Sequence, residues 1–575
     1  MMEINSDHKI INKKISGLFS TFDTYDSPGY AIGVMHQNNL IFNQGFGQAT
    51  LEHPSPINSK TVFDIGSMAK QFVGMSIALL EENEQLSIED TIHKYLPEFP
   101  DYGHKITLSD LLYHCSGIRN YSVMAYYMIG IHESDAISNE EIYDLLLRIK
   151  SLNFKPGSKY EYSDSNYFLL GKIIEHITGQ SLNTFAAESI FKPLGMKNSL
   201  FREVHSQIIP RRAMSYVKHP IAFKSPVQYS KSRRDQNTFH TLVSNYEHIG
   251  AEGIFTSLED LFKWTHNFSS NQLGKRKQSL IKNMLSPGIQ INDSLAYGYG
   301  INTGTFEDMK YFGHNGAIHG YTSSLAVFPE EDLSIICLSN HNQTGAWEFR
   351  KPILEILYPQ KSVSIPNAKL EQPEEYEKHA KFSHISGKYQ NPETASMWDV
   401  FIKDDHCFVR ENFGREFELF AKSSSEYQAL PSYLNTRVVF ETNNAGKVTE
   451  LKAIIEGKTS TFIPFLKDSY SIHELEDYEG EYFSDELQTT FMVIPDSQGI
   501  QLKNKNRHFC SMDLLYTPTI KDYFMAFDPH PYCSQISFLR VEEEIFALVY
   551  RDYDGDGREN ILFHKLIPKL EQSSQ

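Results

Sequence analysis

Five serines in this 575-residue chain stand three residues before a lysine, Ser6, Ser67, Ser189, Ser215 and Ser279. That spacing can pair a nucleophilic hydroxyl with a base able to take its proton. Only Ser67 has an informative context. In "FDIGSMAKQFVGMSIALLEENEQLSIED" the apolar residues Met68, Phe72, Met75 and Leu79 recur at i, i+4, i+7 and i+11, which predicts a helix with one face on a core. One helical turn separates Ser67 from Lys70, so the two side chains share a face and come within hydrogen-bonding reach. Two readings stand on this segment. Ser67 is an attacking hydroxyl with Lys70 beside it, or it is an ordinary serine cap at a helix start.

Two further segments carry groups that would complete such chemistry. "FKPGSKYEYSDSNYFLLGKIIEHITG" places Tyr162-Ser163-Asp164 in a loop just before a second apolar-periodic helix, setting a phenol beside a short carboxylate. "YFGHNGAIHGYTSS" places His314-Asn315-Gly316 at the start of a strand hairpin, where glycine is expected to let a substrate backbone approach closely. Singly, these residues have plain structural explanations as a core tyrosine, a loop cap and a turn histidine.

The elements that must position them are legible as patterns. "GYAIGVMHQNNLIFNQGFGQAT" and "YTSSLAVFPEEDLSIICLSN" read as hairpins, turning at Gln37-Asn38-Asn39 and at Pro329-Glu330-Glu331-Asp332. Long helical segments lie between them. Strands at both ends with helices between imply an antiparallel sheet covered by helices, of the α/β or α+β class, over residues 1–358.

At roughly 150 residues per domain, the length implies three or four units. A linker is expected over 359–378, where three prolines interrupt any periodicity. Beyond it, "ISGKYQNPET" is echoed by "YEGEYFSDEL", with Gly387 and Gly480 93 residues apart. Each copy continues into short alternating strands and closes on a hairpin. Two tandem antiparallel β-barrels are therefore expected, over 379–468 and 469–575. In the second, "DYDGDGREN" imitates the start of a calcium loop, but Phe563 stands where the bidentate glutamate belongs, and a turn between two strands explains it better.

Composition narrows the partners. A formal net charge of −18 disfavours nucleic acid, whose binding rests on clustered Lys and Arg. No stretch approaches 18 consecutive apolar residues and "MMEINSDHKIINKKISGLFSTF" has no apolar signal core, so a cytoplasmic protein without a membrane span is expected. The five cysteines show no CxxC pairing and the 23 histidines no HExxH, which argues for reduced thiols and against a metal site.

The three segments, in this order, resemble the serine β-lactamase and penicillin-binding-protein superfamily, with its pattern S-x-x-K, Y-x-N, then K-T-G or H-x-G. The H-x-G form resembles the branch of class C β-lactamases, DD-peptidases, D-aminopeptidases and related esterases. "LLYHCSGIRNY", "FKPLGM", "AEGIFTSLEDLFKW" and "YGYGINTG" extend the resemblance over roughly residues 15–345. The two trailing barrels resemble the D-aminopeptidase layout of a catalytic domain followed by two eight-stranded domains. The resemblance implies that Ser67 is the nucleophile, Lys70 and Tyr162 its base pair, and the Ser67 and Ala317 N–H groups the oxyanion donors. His314, Asn315 and Gly316 would line the substrate, with His314 facing a substrate carboxylate or the tyrosine hydroxyl. Asp164 stands where relatives carry Asn, as an acceptor able to pair with Lys70. Cys115 stands for the usual Thr, as a small packed residue. The implied activity is acyl-enzyme hydrolysis of a peptide, amide or ester, D-aminopeptidase- or esterase-like. A β-lactamase or DD-carboxypeptidase and a non-catalytic binding protein are the alternatives. No cofactor is implied. The partner is a small molecule or short peptide, and a homo-oligomer is compatible.

Overall fold

Both expected hairpins form, and they lie side by side in one sheet. Tyr30–His36 pairs with Asn39–Phe46 through a two-residue turn in which Gln37 and Asn38 both take positive φ (50° and 58°), the geometry that matches the natural twist of paired strands. Tyr321–Phe328 pairs with Leu333–Ser339 across Pro329–Asp332. The computed structural model describes residues 8–566 apart from 130–134, 218–237, 243–244, 248, 276, 293, 360–383, 392–396, 404–405, 412–415, 424, 431–435, 456–457, 466–469, 498, 506–513, 521–522, 527–533, 542–543 and 555–556. The expected linker thus lies, after Pro359, outside the described residues. The described residues fall into two units, one of 8–122, 135–217 and 238–359, the other of 123–129 and 384–566.

In the first unit the sheet has eight antiparallel strands. From edge to edge they run Asn39–Phe46, Tyr30–His36, Leu333–Ser339, Tyr321–Phe328, Met309–Ile318, Asn302–Phe306, Leu295–Tyr297 and Ile289–Asn292. One face buries Ile32, Val34, Phe328 and Ile335 against Ile11 and Ile15 of the helix His8–Leu18 and Ile353 and Leu357 of the helix Arg350–Leu357. The helix Leu258–Ser270 covers the other face, close enough that a side chain at Gly33 would strike the Phe262 ring. The helices Lys70–Glu82 and Asp164–Thr178 pack on each other, and Lys70–Leu80 are buried throughout. Among the described residues no helix is long and apolar enough to cross a membrane.

A break in pairing positions the site. Asn302–Phe306 pairs with Met309–Ile318 only as far as Gly313, whereas Tyr321–Phe328 pairs along the whole second half. The stretch His314–Ile318 therefore runs on past its neighbour, and the short turn Gly66–Ala69 packs along it.

The second unit holds two closed antiparallel barrels of eight strands each, spanning Gly387–Pro464 and Gly480–Lys565. The echoed motif has a common structural cause. Tyr389 donates its hydroxyl to the Ile385 carbonyl at 2.6 Å, and Tyr482 donates to the Tyr478 carbonyl at 2.9 Å, so each copy ties the chain entering its barrel to the first strand. Around these ties pack Trp398, Phe440 and Phe462 in one barrel and Phe491, Phe538 and Phe563 in the other. Glu544–Asp554 and Gly557–Lys565 form the hairpin that contains the calcium-loop imitation, Asp554 standing opposite Gly557. Each tie buries one hydrogen bond, so Tyr389→Phe and Tyr482→Phe should each lower the stability of this unit by about 1 kcal/mol. Denaturant unfolding of the full chain checks this, and unchanged transitions in both variants would refute it.

Candidate active site

The turn bearing Ser67 is built by backbone contacts before any side chain is considered. Asp64, buried at the end of the strand Val62–Asp64, accepts the Gly66 N–H at 3.0 Å through Oδ1 and the Tyr246 hydroxyl at 2.7 Å through Oδ2. Burial raises the proton affinity of its carboxyl, with the Tyr246 bond opposing. Gly66 takes a left-handed φ of 51°, and a Cβ there would lie 3.0 Å from the Ala317 nitrogen. At Gly316 a Cβ would fall 2.0 Å from the Ile65 carbonyl oxygen. The two backbones are thus pressed together, Ile65-Gly66 on Gly316-Ala317, and this sets the Ala317 amide beside the Ser67 turn. The glycine of His-x-Gly makes room for the chain's own Ile65 carbonyl, and not, as the sequence suggested, for a substrate backbone.

Ser67 is partly exposed and lies inside the 3₁₀ turn Gly66–Ala69, while the helix proper begins at Lys70. The N-caps of that turn and of the helix are Ile65 and Ala69, so Ser67 is not the cap residue of either. Its Oγ instead accepts from Lys70 Nζ at 3.0 Å. Lys70 is fully buried, and its ammonium also donates to Asp164 Oδ1 at 2.7 Å and to the Ala251 carbonyl at 2.9 Å. All three protons are used. Asp164, first residue of the helix Asp164–Thr178, accepts the Ser122 hydroxyl on its other oxygen at 2.9 Å. Lys70 Nζ also lies 4.8 Å from the Tyr162 ring centre and 5.9 Å from that of Tyr167, which favours a cation there.

The Tyr162 phenol is held protonated well above the ordinary range, first by burial and then by the Asp164 carboxylate, with the Ser67 side chain opposing. His314 is buried and engaged at both nitrogens. Nδ1 meets its neighbour's carbonyl, Asn315 O, and so carries the hydrogen, leaving Nε2 to accept the Tyr297 hydroxyl at 3.0 Å. Burial, aided by Lys70, pushes its pKa down to about 4, so the ring is neutral at neutral pH. It therefore faces the Tyr297 hydroxyl and not that of Tyr162. Asn315 points to the opposite side of its strand, where Oδ1 accepts from Arg350 Nη2 at 2.7 Å and from the Ser324 hydroxyl at 3.0 Å. That placement ties the strand to the helix Arg350–Leu357. Cys115 is buried, with its thiol pushed up to about 12 by burial and by Asp110.

Ser67, Lys70, Tyr162, Asp164 and His314, with the Gly316-Ala317 backbone, are thus brought together, and the Asn315 side chain is not. Sequence reasoning did not single out Tyr297, His114, Ser122 or the Ala251 carbonyl, although "YGYGINTG", "LLYHCSGIRNY" and "AEGIFTS" contain or adjoin them. Among the described residues no cluster of His, Cys, Asp and Glu could hold a metal ion.

A hydroxyl bonded to a buried lysine, on a turn pressed against the open half of a sheet strand, defines a serine hydrolase of the β-lactamase and penicillin-binding-protein fold. The chain belongs to the Beta-lactamase family, whose model matches residues 15–356. It is 25% identical over 423 residues to penicillin-binding protein 4* of Bacillus subtilis (strain 168), spanning 72% of this chain and 91% of that one. It is 26% identical over 322 residues to a D-aminopeptidase of Cereibacter sphaeroides (strain ATCC 17029 / ATH 2.4.9), spanning 56% of this chain and 58% of that protein. The solved structure of the octameric penicillin-binding protein homologue from Pyrococcus abyssi shares the fold, with a TM-score of 0.53 at 22% identity over 78% of this chain and 99% of that one.

Gly316→Ala tests the backbone contact. The added methyl must displace Ile65 and with it the Ser67 turn, so the variant should fold but react with a fluorophosphonate roughly 100-fold more slowly, the scale of losing one oxyanion donor. An undiminished labelling rate would refute the contact's role.

Proposed function

We propose that Ser67 attacks the carbonyl of an amide or ester, that Lys70 takes its proton, and that Tyr162 protonates the leaving group. The observation that carries this reading is the bonding of Lys70 Nζ. Two of its three directions end on the Asp164 carboxylate and the Ala251 carbonyl, which can only accept. When the ammonium gives up one proton, the two that remain are claimed there, and the lone pair points at Ser67 Oγ. As the Ser67 oxygen bonds to carbon, the carbonyl electron pair moves onto oxygen, where the Ser67 and Ala317 N–H groups receive it. When that pair returns, the C–N or C–O bond breaks and the leaving group takes the Tyr162 proton, which the Lys70 ammonium replaces. Water then cleaves the acyl-enzyme by the same path in reverse. A phenol kept protonated by burial suits a donor role.

The electrostatics favour one substrate class. The charge of Lys70 is matched by Asp164, and the His314 imidazole is neutral, so the described cluster offers a substrate carboxylate no net positive charge. Asp164 adds an acceptor where an amide would donate. We read the substrate as a small molecule or short peptide, neutral or amine-bearing near the scissile bond, such as an aminoacyl amide or short ester. The similarity to a protein named D-aminopeptidase supports this reading. A DD-carboxypeptidase or β-lactamase substrate, which carries a carboxylate, suits the cluster less well.

Two measurements test the proposal. Ser67→Ala should abolish covalent labelling and lower ester turnover by roughly 10⁵-fold or more, and labelling that persists would overturn the nucleophile. In a panel of D-aminoacyl amides and esters, each paired with an analogue ending in a free carboxylate, kcat/KM should favour the uncharged member by about tenfold or more. The opposite order would overturn the substrate class while leaving the nucleophile standing.

A further inference from the structure

His114 is buried to zero exposure, lies beyond the helix Leu108–Leu112 and has no place in the proton path. It occupies a left-handed conformation, φ 55°, two residues past the helix, where glycine is the usual occupant. A histidine there is strained, and such strain persists where the residue itself is needed. Its contacts show what the strain secures. The His114 carbonyl accepts the Glu161 N–H at 2.8 Å, and Nδ1 accepts the Ser163 N–H at 3.2 Å. Those residues flank Tyr162. The imidazole lies against the Tyr162 ring at 4.3 Å between centres and tilted 36°. Asn166 Nδ2 also lies 3.1 Å from Nδ1 and anchors the ring to the helix Asp164–Thr178.

We propose that His114 is a positioning residue that holds the Tyr162 ring beside Lys70 by gripping the backbone on both sides of Tyr162 and shielding its ring. With Nδ1 accepting a backbone N–H, the hydrogen sits on Nε2, which is buried without a hydrogen-bond partner among the described residues and is surrounded by rings. Tyr160, Tyr167 and Tyr297 stand 6.0, 5.1 and 4.7 Å from the imidazole centre. Burial, then the charge at Lys70, keep the imidazole neutral. A neutral ring stacked on Tyr162 excludes water from it without adding a charge that would draw off the phenol's proton.

The inference rests on Tyr162 belonging to the catalytic group, and the test separates the two. His114→Gly suits the left-handed backbone, keeps the carbonyl that holds the Glu161 N–H, and removes the imidazole's hold on Ser163 together with the shield. His114→Asn tolerates that backbone and sets an acceptor, Oδ1, where Nδ1 lies. Turnover of a short ester is scored per active site by fluorophosphonate titration carried to completion. For His114→Gly, kcat should fall 10- to 100-fold with KM within about twofold, and the alkaline limb of the profile should move to lower pH as water reaches Tyr162. The other titratable groups facing this pair are Tyr160, Tyr167, Tyr297, Lys70, Asp164 and His314, and they are the same in every variant. His114→Asn should recover part of kcat. The double variant His114→Gly/Tyr162→Phe should be no worse than Tyr162→Phe alone, because His114 acts through Tyr162. Multiplicative losses, or an unmoved kcat and pH profile in both His114 variants, would overturn the positioning role. If Tyr162→Phe is itself fully active, the catalytic assignment of Tyr162 fails and this inference with it.

Discussion

The ion pair between Lys70 and Asp164, 2.7 Å long with the lysine fully buried, is the constraint on which the rest of the site depends. A lone ammonium could not occupy that position, because desolvating it would cost several kcal/mol. Asp164, the Ala251 carbonyl and Ser67 satisfy its three protons, and the rings of Tyr162 and Tyr167 face it. Each partner comes from a different part of the chain: the nucleophile turn, the start of a second helix and the stretch before the strand Ile254–Ser257. The pair thus fixes a junction of three segments as well as a charge. Burial first keeps Tyr162 and His314 neutral, and the pair reinforces it: the carboxylate opposes loss of the phenol's proton, and the ammonium opposes gain of one by the imidazole.

A second constraint acts through backbone alone. Ile65-Gly66 and Gly316-Ala317 meet at distances that leave no space for side chains at the two glycines. This is possible because the strand Met309–Ile318 outruns the pairing with Asn302–Phe306 and exposes its second half to the Ser67 turn. Side-chain alternation then sorts the His-Asn-Gly triplet. His314 and Gly316 face the turn, and Asn315 faces Arg350, which it shares with Ser324.

Much of this was legible in the amino-acid sequence, and the failures have physical causes. The apolar period after Ser67, the two hairpins and the echo between Ile385 and Tyr478 are patterns of burial and turn chemistry, which composition records directly. The echo even preserves the tyrosine that closes each barrel's entry. The orientation of Asn315 followed from strand alternation, but treating the triplet as one lining concealed it. The Ala251 carbonyl has no side-chain signature, and so no residue type announces it. His114 and Tyr297 lay within phrases used only for resemblance; their importance comes from a left-handed backbone and a ring cluster assembled across distant segments, neither of which is a local property. Gly316 was correctly seen as a place of close approach, but the approaching group belongs to the chain itself.

Asp164, bonded to the Lys70 ammonium, holds the proton that must leave Lys70 before Ser67 can hand over its own. This hold is tested most directly by the pH dependence of the rate at which a small fluorophosphonate acylates the enzyme, compared with Asp164→Asn. Asparagine keeps an acceptor for Lys70 and removes the carboxylate charge that the ammonium faces at 2.7 Å, so that proton leaves at lower pH. The ascending limb should move to lower pH by about one unit or more, the scale of one adjacent charge. A limb that stays in place, or moves to higher pH, would contradict the account.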